Sequence, residues 1–537
     1  MTNTASRTDQ DAAAGHQGTN DGTVVRPGDP RYVDLISGTN QRFIGSPERI
    51  RLITSTADAV HAVQQAVHEG KRIAVRSGGH CVEDFVYNPD VEVVLDMTRM
   101  SHIGFDHARQ AFVVESGALL FNVYEQLYRR WGVTIPGGIC YSVAVGGHVC
   151  GGGYGILSRT LGLTVDHLEA VEVVCVNAAG VAYSVVASRD PDDPHHDLWW
   201  AHTGGGGGNF GLVTRYWFRT PGRTGTTPSR QLVAPPAKVL LGQAAIGWDR
   251  LAEPDFHRLL LNYGEWNERN SAPGTPGAEI SSILVLNHIS SGPIALVSQI
   301  DAARPGAREM LRAFLTALVE GTSVEGDPAV TEAVQELAWL QANRHLTTII
   351  GNQPIPSVRG ATKSAYLRTN YTSQQATTMY RHLTRPDIHS PGAIVMLMPF
   401  GGQINAVAPD ATASAQRDSV MKMRVENWWV NPADDASNIG WARDIFQELF
   451  AATGGVPIPD TATDGCYINY ADADMTDPEF NRSGVPWPVL YYKDNYPRLR
   501  KAKTRWDPRN IFHHRMSIEP LHKAHKAGTD GSDTPSP

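Results

Sequence analysis

Two glycine-rich loops lie sixty positions apart, and each ends in a nucleophilic side chain: Val75-Arg-Ser-Gly-Gly-His80 and Pro136-Gly-Gly-Ile-Cys140. The second runs on into Gly146-Gly-His-Val-Cys-Gly-Gly-Gly-Tyr154-Gly. Glycine has no Cβ, so its backbone amides can approach pyrophosphate oxygens closely and adopt conformations closed to other residues. The pair reads as a cradle for a dinucleotide with a nucleophile at each end, and neither loop has Rossmann spacing. On spacing alone, a histidine after two glycines is equally a phosphate-loop donor or a core histidine. The pairs His195-His196 and His148 with Cys150 suggest a metal, but no second pair stands at ligand spacing, so no metal site is expected. Neither a nucleophile elbow nor a P-loop is present.

These loops need elements to hold them. Val60, Val63 and Val67 recur at helical spacing between a cap at Ser55 or Thr56 and a stop at Gly70. A strand, Ile73 to Val75, then delivers the first loop. Val91 to Leu95 and Phe112 to Glu115 read as strands, and Leu119 to Trp131 as a helix. Val171 to Val176 and Tyr183 to Val186 are further strands of an α+β unit. The stretch Thr220 to Pro236, rich in Pro and Thr, marks a boundary. Beyond it, strand-like runs (Ile283 to Asn287, Ala393 to Phe400, Val420 to Trp429) alternate with helical ones such as Ala307 to Val319, which suits an antiparallel sheet backed by helices. The glycine run Gly204 to Gly208, flanked by Trp199-Trp200 and Leu212-Val213, reads as a buried turn.

Composition narrows the function classes. With 41% hydrophobic and 19% charged residues in a chain of 537, packed cores are expected, with disorder confined to the ends. The net charge of −8 offers no basic stripe for nucleic acid, and Arg498 to Arg505 reads as a solvated helix face. Cysteines at 81, 140, 150, 175 and 466 form no CxxC pair and no dense framework, which points to reduced thiols. The first thirty residues hold neither an apolar core nor a twin arginine, and no apolar run could span a bilayer. A cytoplasmic protein without membrane contact is expected, with its oligomeric state left open.

The chain resembles the berberine bridge enzyme-like oxidases of the vanillyl-alcohol oxidase superfamily, with a PCMH-type FAD-binding domain. Besides both loops, the resemblance rests on Asp197-Leu-Trp-Trp-Ala-His-Thr-Gly-Gly-Gly-Gly-Gly-Asn-Phe-Gly211, Tyr467-Ile-Asn-Tyr470 and Asp507-Pro-Arg-Asn-Ile-Phe512. It extends from about Asp29 to Pro520 and points within the family to actinobacterial oxidases of antibiotic biosynthesis, glycopeptide hexose oxidases among them. It implies an FAD-binding domain over 29–222, a substrate domain over 237–458, and a segment over 459–521 that returns to complete the FAD domain. Residues 1–28 and 522–537 are expected to be disordered tails.

The resemblance also implies FAD attached twice, through the 8α carbon to His80 and through C6 to Cys140. Further cofactor contacts are expected from Arg76, Ser77, Gly78, Gly79, Gly146, Gly147, Gly151, Gly152, Asn209, Phe210, Gly211, Val213, Asn469, Asn510 and Phe512. Attachment at both edges pins the flavin ring without covering its face, which suits an open pocket and bulky substrates. Val143 matches a position where oxidases carry valine and dehydrogenases a bulkier side chain, which favours O₂ as acceptor; it could equally be a packing valine.

Tyr470 matches the proton-abstracting tyrosine of many relatives, and Tyr154 a second tyrosine that could hydrogen-bond the substrate or the phenolate. A phenol, with an ordinary pKa of about 10, is a base at neutral pH only where neighbours stabilise its anion. An ungapped placement puts Met423 beside this base, with Lys422 and Arg424 facing away; a slip of one residue would bring Arg424 in. Strand position suggests Tyr366, Phe400, Gln403 and Trp429 as substrate contacts. The expected activity is oxidation of an alcohol of an antibiotic or other secondary metabolite, with O₂ reduced to H₂O₂. The alternatives are a hexose, oligosaccharide or glycosyl-antibiotic oxidase, a C–C or C–N dehydrogenation, and a flavin-binding protein without turnover.

Overall fold

Ser55 starts the first long helix as its residue type predicts: its Oγ accepts the N–H of Asp58 at 3.1 Å, and the helix runs Thr56–Glu69 to a left-handed Gly70 at φ 66°. The structure, a computed structural model, describes residues 24–349 and 358–521. The strand that follows, Ile73–Arg76, is parallel to Val93–Asp96, which is parallel to Arg49–Leu52. Val24–Val25 closes this sheet as an antiparallel edge, opposite Arg51 and Ile50. The expected N-terminal tail is therefore too long at its inner end: residues 24 and 25 are paired, and Val25 is buried because its side chain joins the core of this small sheet. The rest of that tail, 1–23, and the C-terminal tail, 522–537, lie outside the described residues.

A second, five-stranded antiparallel sheet has the order Ile103–Asp106, Ala111–Glu115, Leu212–Phe218, Leu168–Val176, Ala182–Ser188. The helix Leu120–Trp131 lays Leu120, Val123, Tyr124 and Leu127 in the core. The glycine run lies between the helix His196–Ala201 and the strand Leu212–Phe218.

The third sheet is antiparallel throughout and seven-stranded, in the order Val334–Ala338, Lys238–Ile246, Ile294–Asp301, Ser281–Asn287, Ile394–Pro399, Met421–Trp429, Arg359–Leu367. Helices Glu253–Arg269, Ala307–Val319, Ser373–Leu383 and Asp435–Leu449 pack on one face. Side chains alternate across a strand. Leu284, Leu286, Val395, Leu397, Met421, Met423 and Val425 join the main core. Their neighbours Ile283, Val285, Met396, Met398, Arg424 and Glu426 face a large cavity on the other side.

Arg359–Leu367 is the last strand, and an uncovered edge invites pairing with other chains. Here the late segment covers it: Leu367 bridges Thr463, and Tyr366 N–H donates to Gly465 O at 2.8 Å. That docking carries Tyr467–Tyr470 to the cavity. Further on, the Arg498–Arg505 region is not wholly solvated as expected. Lys503 is fully buried, with Nζ at 2.7 Å from each of Asn209 O, Phe512 O and Asp507 Oδ2. Breaking a buried pair of this kind costs about 3–5 kcal/mol, so this lysine ties the glycine run to the C-terminal segment.

Candidate active site

The cavity has a volume of about 1100 Å³ and lies between both glycine loops and the free face of the seven-stranded sheet. That is at or above the roughly 300–1,000 Å³ of ordinary small-molecule pockets. The loops reach it by packing on each other through glycine. A Cβ on Gly78 would stand 2.6 Å from Ala144 N and 2.8 Å from Ser142 O, and one on Gly146 would stand 2.2 Å from Ser77 Oγ. At Gly147 and Gly207, which line the cavity, a Cβ would meet nothing within 4 Å. Bare backbone thus faces open space, as a cradle for a dinucleotide requires.

His80 and Cys140 meet at one hydroxyl. His80 Nε2 lies 2.8 Å from Ser142 Oγ, and Cys140 Sγ lies 3.8 Å from the same oxygen. Burial lowers the imidazole pKa to about 4, helped by the positive charges of Arg424 and Arg76, so His80 is neutral at physiological pH with a lone pair available. His148, also on the cavity wall, is lowered to about 4 by burial, and its Nε2 accepts the N–H of Gly138 at 3.2 Å. It holds the Cys140 loop in shape.

Tyr470 sits in a short 3₁₀ turn, Ile468–Tyr470, with its ring edge-on to Tyr467 at 5.1 Å. Two basic side chains flank it. The Arg424 guanidinium lies 4.4 Å from its ring centre and the Lys422 ammonium 5.0 Å. Lys422 Nζ also stands 3.8 Å from the ring centre of Tyr154 and 4.4 Å from that of Tyr467, and has no hydrogen-bond partner among the described residues. Burial raises the Tyr470 phenol pKa, while the charge and hydrogen bond of Arg424 pull it back down. Burial also drives the Lys422 pKa well down, with Arg424 adding to the effect. Three aromatic faces do not replace its lost hydration, so the cation is held weakly until an anion forms nearby. Glu426 pairs with Arg424 from the same strand face.

The expected placement of this strand is therefore corrected. Met423 points into the core behind the sheet, and Lys422 and Arg424 flank the tyrosine, because a shift of one residue exchanges the two faces. Trp429 lines the cavity as expected. Tyr366 and Phe400 do not; they are buried against each other behind Tyr154 and Tyr467. Gln403 is exposed on a surface turn. Tyr154 faces the cavity with its ring, but its hydroxyl donates to Pro399 O at 2.7 Å and is pushed up in pKa by burial, so it is not directed at a substrate.

Among the cofactor positions, Arg76, Ser77, Gly78, Gly79, Gly146, Gly147, Asn209, Gly211, Val213, Asn469 and Phe512 line the cavity with His80, Cys140 and Val143. Gly151, Gly152, Phe210 and Asn510 do not. Gly151 gives way to Asn469, whose Oδ1 would lie 2.1 Å from a Cβ there, and Gly152 gives way to Ser414. Phe210 is a core aromatic edge-on to His202, and Asn510 is an exposed turn residue at φ 52°. Sequence reasoning missed Ser142, Glu426 and the structural role of His148; strand parity with Met421 in the core would have exposed the Lys422, Arg424, Glu426 row. Among the described residues no group of three His, Cys, Asp or Glu is placed to hold a metal, and no helix is long and apolar enough to cross a membrane.

Comparison with known proteins agrees with this geometry. Residues 47–181 match the FAD binding domain model, and residues 466–519 match the model described as berberine and berberine like. The chain is 50% identical over 493 residues to the aclacinomycin-N/aclacinomycin-A oxidase of Streptomyces galilaeus, covering 92% of this chain and 89% of that enzyme. It superposes on CrmK, a flavoenzyme of caerulomycin biosynthesis, with a TM-score of 0.89 at 46% identity, covering 94% of this chain and all of that one. The glycopeptide hexose oxidase DBV29, solved with teicoplanin, gives a TM-score of 0.87 at 46% identity over 93% of this chain and 99% of its own. An FAD cradle, a family match at each end and half-identical sequence along nearly the whole length lead to one conclusion: the chain belongs to the berberine bridge enzyme-like FAD-linked oxidases.

Proposed function

We propose that this FAD-dependent oxidase acts on an alcohol of a bulky antibiotic-type metabolite, with Tyr470 as base and with FAD bonded to both His80 and Cys140. The observation that carries the reading is the shared cavity. The two attachment residues, the cation-flanked tyrosine and a broad apolar wall of Ile283, Val285, Met396 and Met398 face one space. The residues fit FAD, since bare glycine backbone lines the cradle and neutral His80 keeps a nucleophilic nitrogen. FAD held there by the glycine loops, His80 and Cys140 would supply a hydride acceptor that O₂ can reoxidise with formation of H₂O₂.

The protein's part is placement and proton control. As the phenolate, Tyr470 takes the hydroxyl proton and becomes the neutral phenol, and Arg424, held by Glu426, stabilises that phenolate beforehand. Lys422, whose Nζ has no hydrogen-bond partner among the described residues, favours the same anion when protonated. The Tyr154 ring forms wall, and the small Val143 leaves room for O₂. The apolar wall excludes water and supports flat, multi-ring substrates better than free sugars. A relative at 50% identity is, by its name, an oxidase of aclacinomycin N and aclacinomycin A, which supports an antibiotic-type substrate.

A second reading, a glycosyl-antibiotic or hexose oxidase, draws on the polar rim of Asp387, His389, Asn431 and Asp434, which could hydrogen-bond sugar hydroxyls. Anaerobic mixing of the purified protein with aclacinomycin N, teicoplanin and glucose separates them. Fast bleaching of the flavin by aclacinomycin N, with H₂O₂ formed when air is admitted, supports the leading reading, whereas bleaching by teicoplanin alone points to a glycosyl-antibiotic oxidase. Rapid bleaching by glucose with no response to the large compounds transfers the assignment to a carbohydrate oxidase.

A further inference from the structure

The two loops that carry the chemistry come from opposite ends of the chain, and a half-buried carboxylate joins them. Glu83 follows His80 by three residues on the first glycine loop. Its Oε1 accepts the backbone N–H of Ala473, 390 residues away, at 3.0 Å. Ala473 in turn follows Tyr470 by three residues. On either side of it, Asp472 and Asp474 are held from behind: Lys363 Nζ lies 2.8 Å from Asp472 Oδ2 and 2.7 Å from Asp474 Oδ2. Arg443 forks onto Asp474 at 2.7 and 2.9 Å. Asp472 Oδ1 accepts the N–H of Asp474 at 3.1 Å, which closes the turn.

Lys363 stands on the edge strand and Arg443 on the helix Asp435–Leu449, so ion pairs fasten the Tyr470 loop to the substrate sheet. Its link to the His80 loop, among the described hydrogen bonds, runs through Glu83, while Asn469 Nδ2 ties it to His148 O on the other glycine loop. Resting on the reading of Tyr470 as base, we propose that Glu83 is a positioning residue for the proton-transfer step: through Ala473 it fixes Tyr470 against the loop of His80, tightly as a carboxylate and loosely as a carboxylic acid.

A charged acceptor makes a hydrogen bond roughly twice as strong as a neutral one. Burial raises the Glu83 carboxyl to about 7; Asp472 and Asp474 push it further up, while the Ala473 N–H and Arg42 hold it down. The groups that face it are Arg42, Cys81 on its own loop, Asp472, Asp474 and Tyr491, with Lys363 and Arg443 behind the two aspartates and Asp435 beyond Arg42. Ionised Glu83 brings the carboxylates of the cluster level with Arg42, Lys363 and Arg443. Protonated Glu83 leaves one positive charge unmatched. The sign follows: the clasp is tight above about pH 7 and slackens as pH falls through that value.

Hydrogen–deuterium exchange on the flavin-loaded protein tests this without any substrate. After correction for intrinsic exchange, protection of the Ala473 amide should fall about tenfold on acidification through neutral pH. In Glu83→Gln it should stay at the low value at every pH. Anaerobic flavin reduction by aclacinomycin N should show a matching inflection near neutral pH that Glu83→Gln removes, with flavin content unchanged. Protection independent of pH in the unmodified protein, or the same pH dependence in Glu83→Gln, overturns the proposal. Should Glu83→Gln fail to fold, the unmodified protein alone decides. Because exchange needs no substrate, loss of the Tyr470 reading in the kinetic arm leaves the exchange result to settle the clasp separately.

Discussion

The Nε2 of His80 lies 2.8 Å from the hydroxyl of Ser142, two residues beyond Cys140, so one serine holds both candidate attachment residues in register. With Nε2 engaged, Nδ1 is the nitrogen that would carry the flavin bond. Acid-precipitated protein should stay yellow. His80→Ala or Cys140→Ala alone should keep a covalent flavin through the other residue, and the double variant should release it. Ser142→Ala should slow attachment without abolishing it, read as the time course of covalent flavin in reconstituted protein. Complete release of flavin from the unmodified protein on denaturation counts decisively against double attachment.

Tyr470→Phe keeps the ring that faces Arg424 and Lys422 and removes the ionisable oxygen. Flavin content should be normal, and anaerobic flavin reduction by substrate should slow about 10²–10⁴-fold, the range for a positioned general base. Near-normal reduction would move the base elsewhere in the cavity.

Arg424→Met should shift the pH profile of flavin reduction. The guanidinium favours the phenolate and so lowers the Tyr470 pKa against the rise that burial imposes. Without it the pKa climbs, and the rising limb of rate against pH should move to higher pH. A limb that stays in place in stopped-flow measurements would remove Arg424 from the control of Tyr470.

Tyr154→Phe loses a hydrogen bond to Pro399 O, not a contact to substrate. Reduction should slow by less than about tenfold, with a stability loss of about 1 kcal/mol visible in thermal melting. A loss as large as that of Tyr470→Phe would put the Tyr154 hydroxyl in the chemistry.

Gly151→Ala should act at a distance. The new Cβ would fall 2.1 Å from Asn469 Oδ1, and that side chain is pinned by bonds from Nδ2 to His148 O and Tyr467 Oη, each 2.9 Å. Overpacking of this kind costs about 1–3 kcal/mol, and displacing Asn469 should also loosen Tyr467 and Tyr470. The checks are a lowered Tm and slower flavin reduction with the flavin still bound.

Local chemistry was legible in the sequence because its signals are local. Ser55 and Gly70 bracket their helix, Ala307–Val319 follows its periodicity, and His80, Cys140 and Tyr470 stand in short motifs that carry their own context. The period of two also marks Met421–Trp429 as a strand, but a period does not say which face meets the cavity. That depends on what lies over each side of the sheet, and only the tertiary structure decided it, sending Met423 into the core and Lys422 and Arg424 to Tyr470. The same holds for buried charges. Lys503, Lys363 and Glu83 read as surface residues by type, and are drawn inward only when segments far along the chain supply partners: Asn209 for Lys503, 294 residues away, Asp472 for Lys363, 109 away, and Ala473 for Glu83, 390 away. Tyr154 shows the limit at a single atom: its motif placed the ring, but the direction of its hydroxyl was set by the carbonyl of Pro399, 245 residues away on a strand of the seven-stranded sheet.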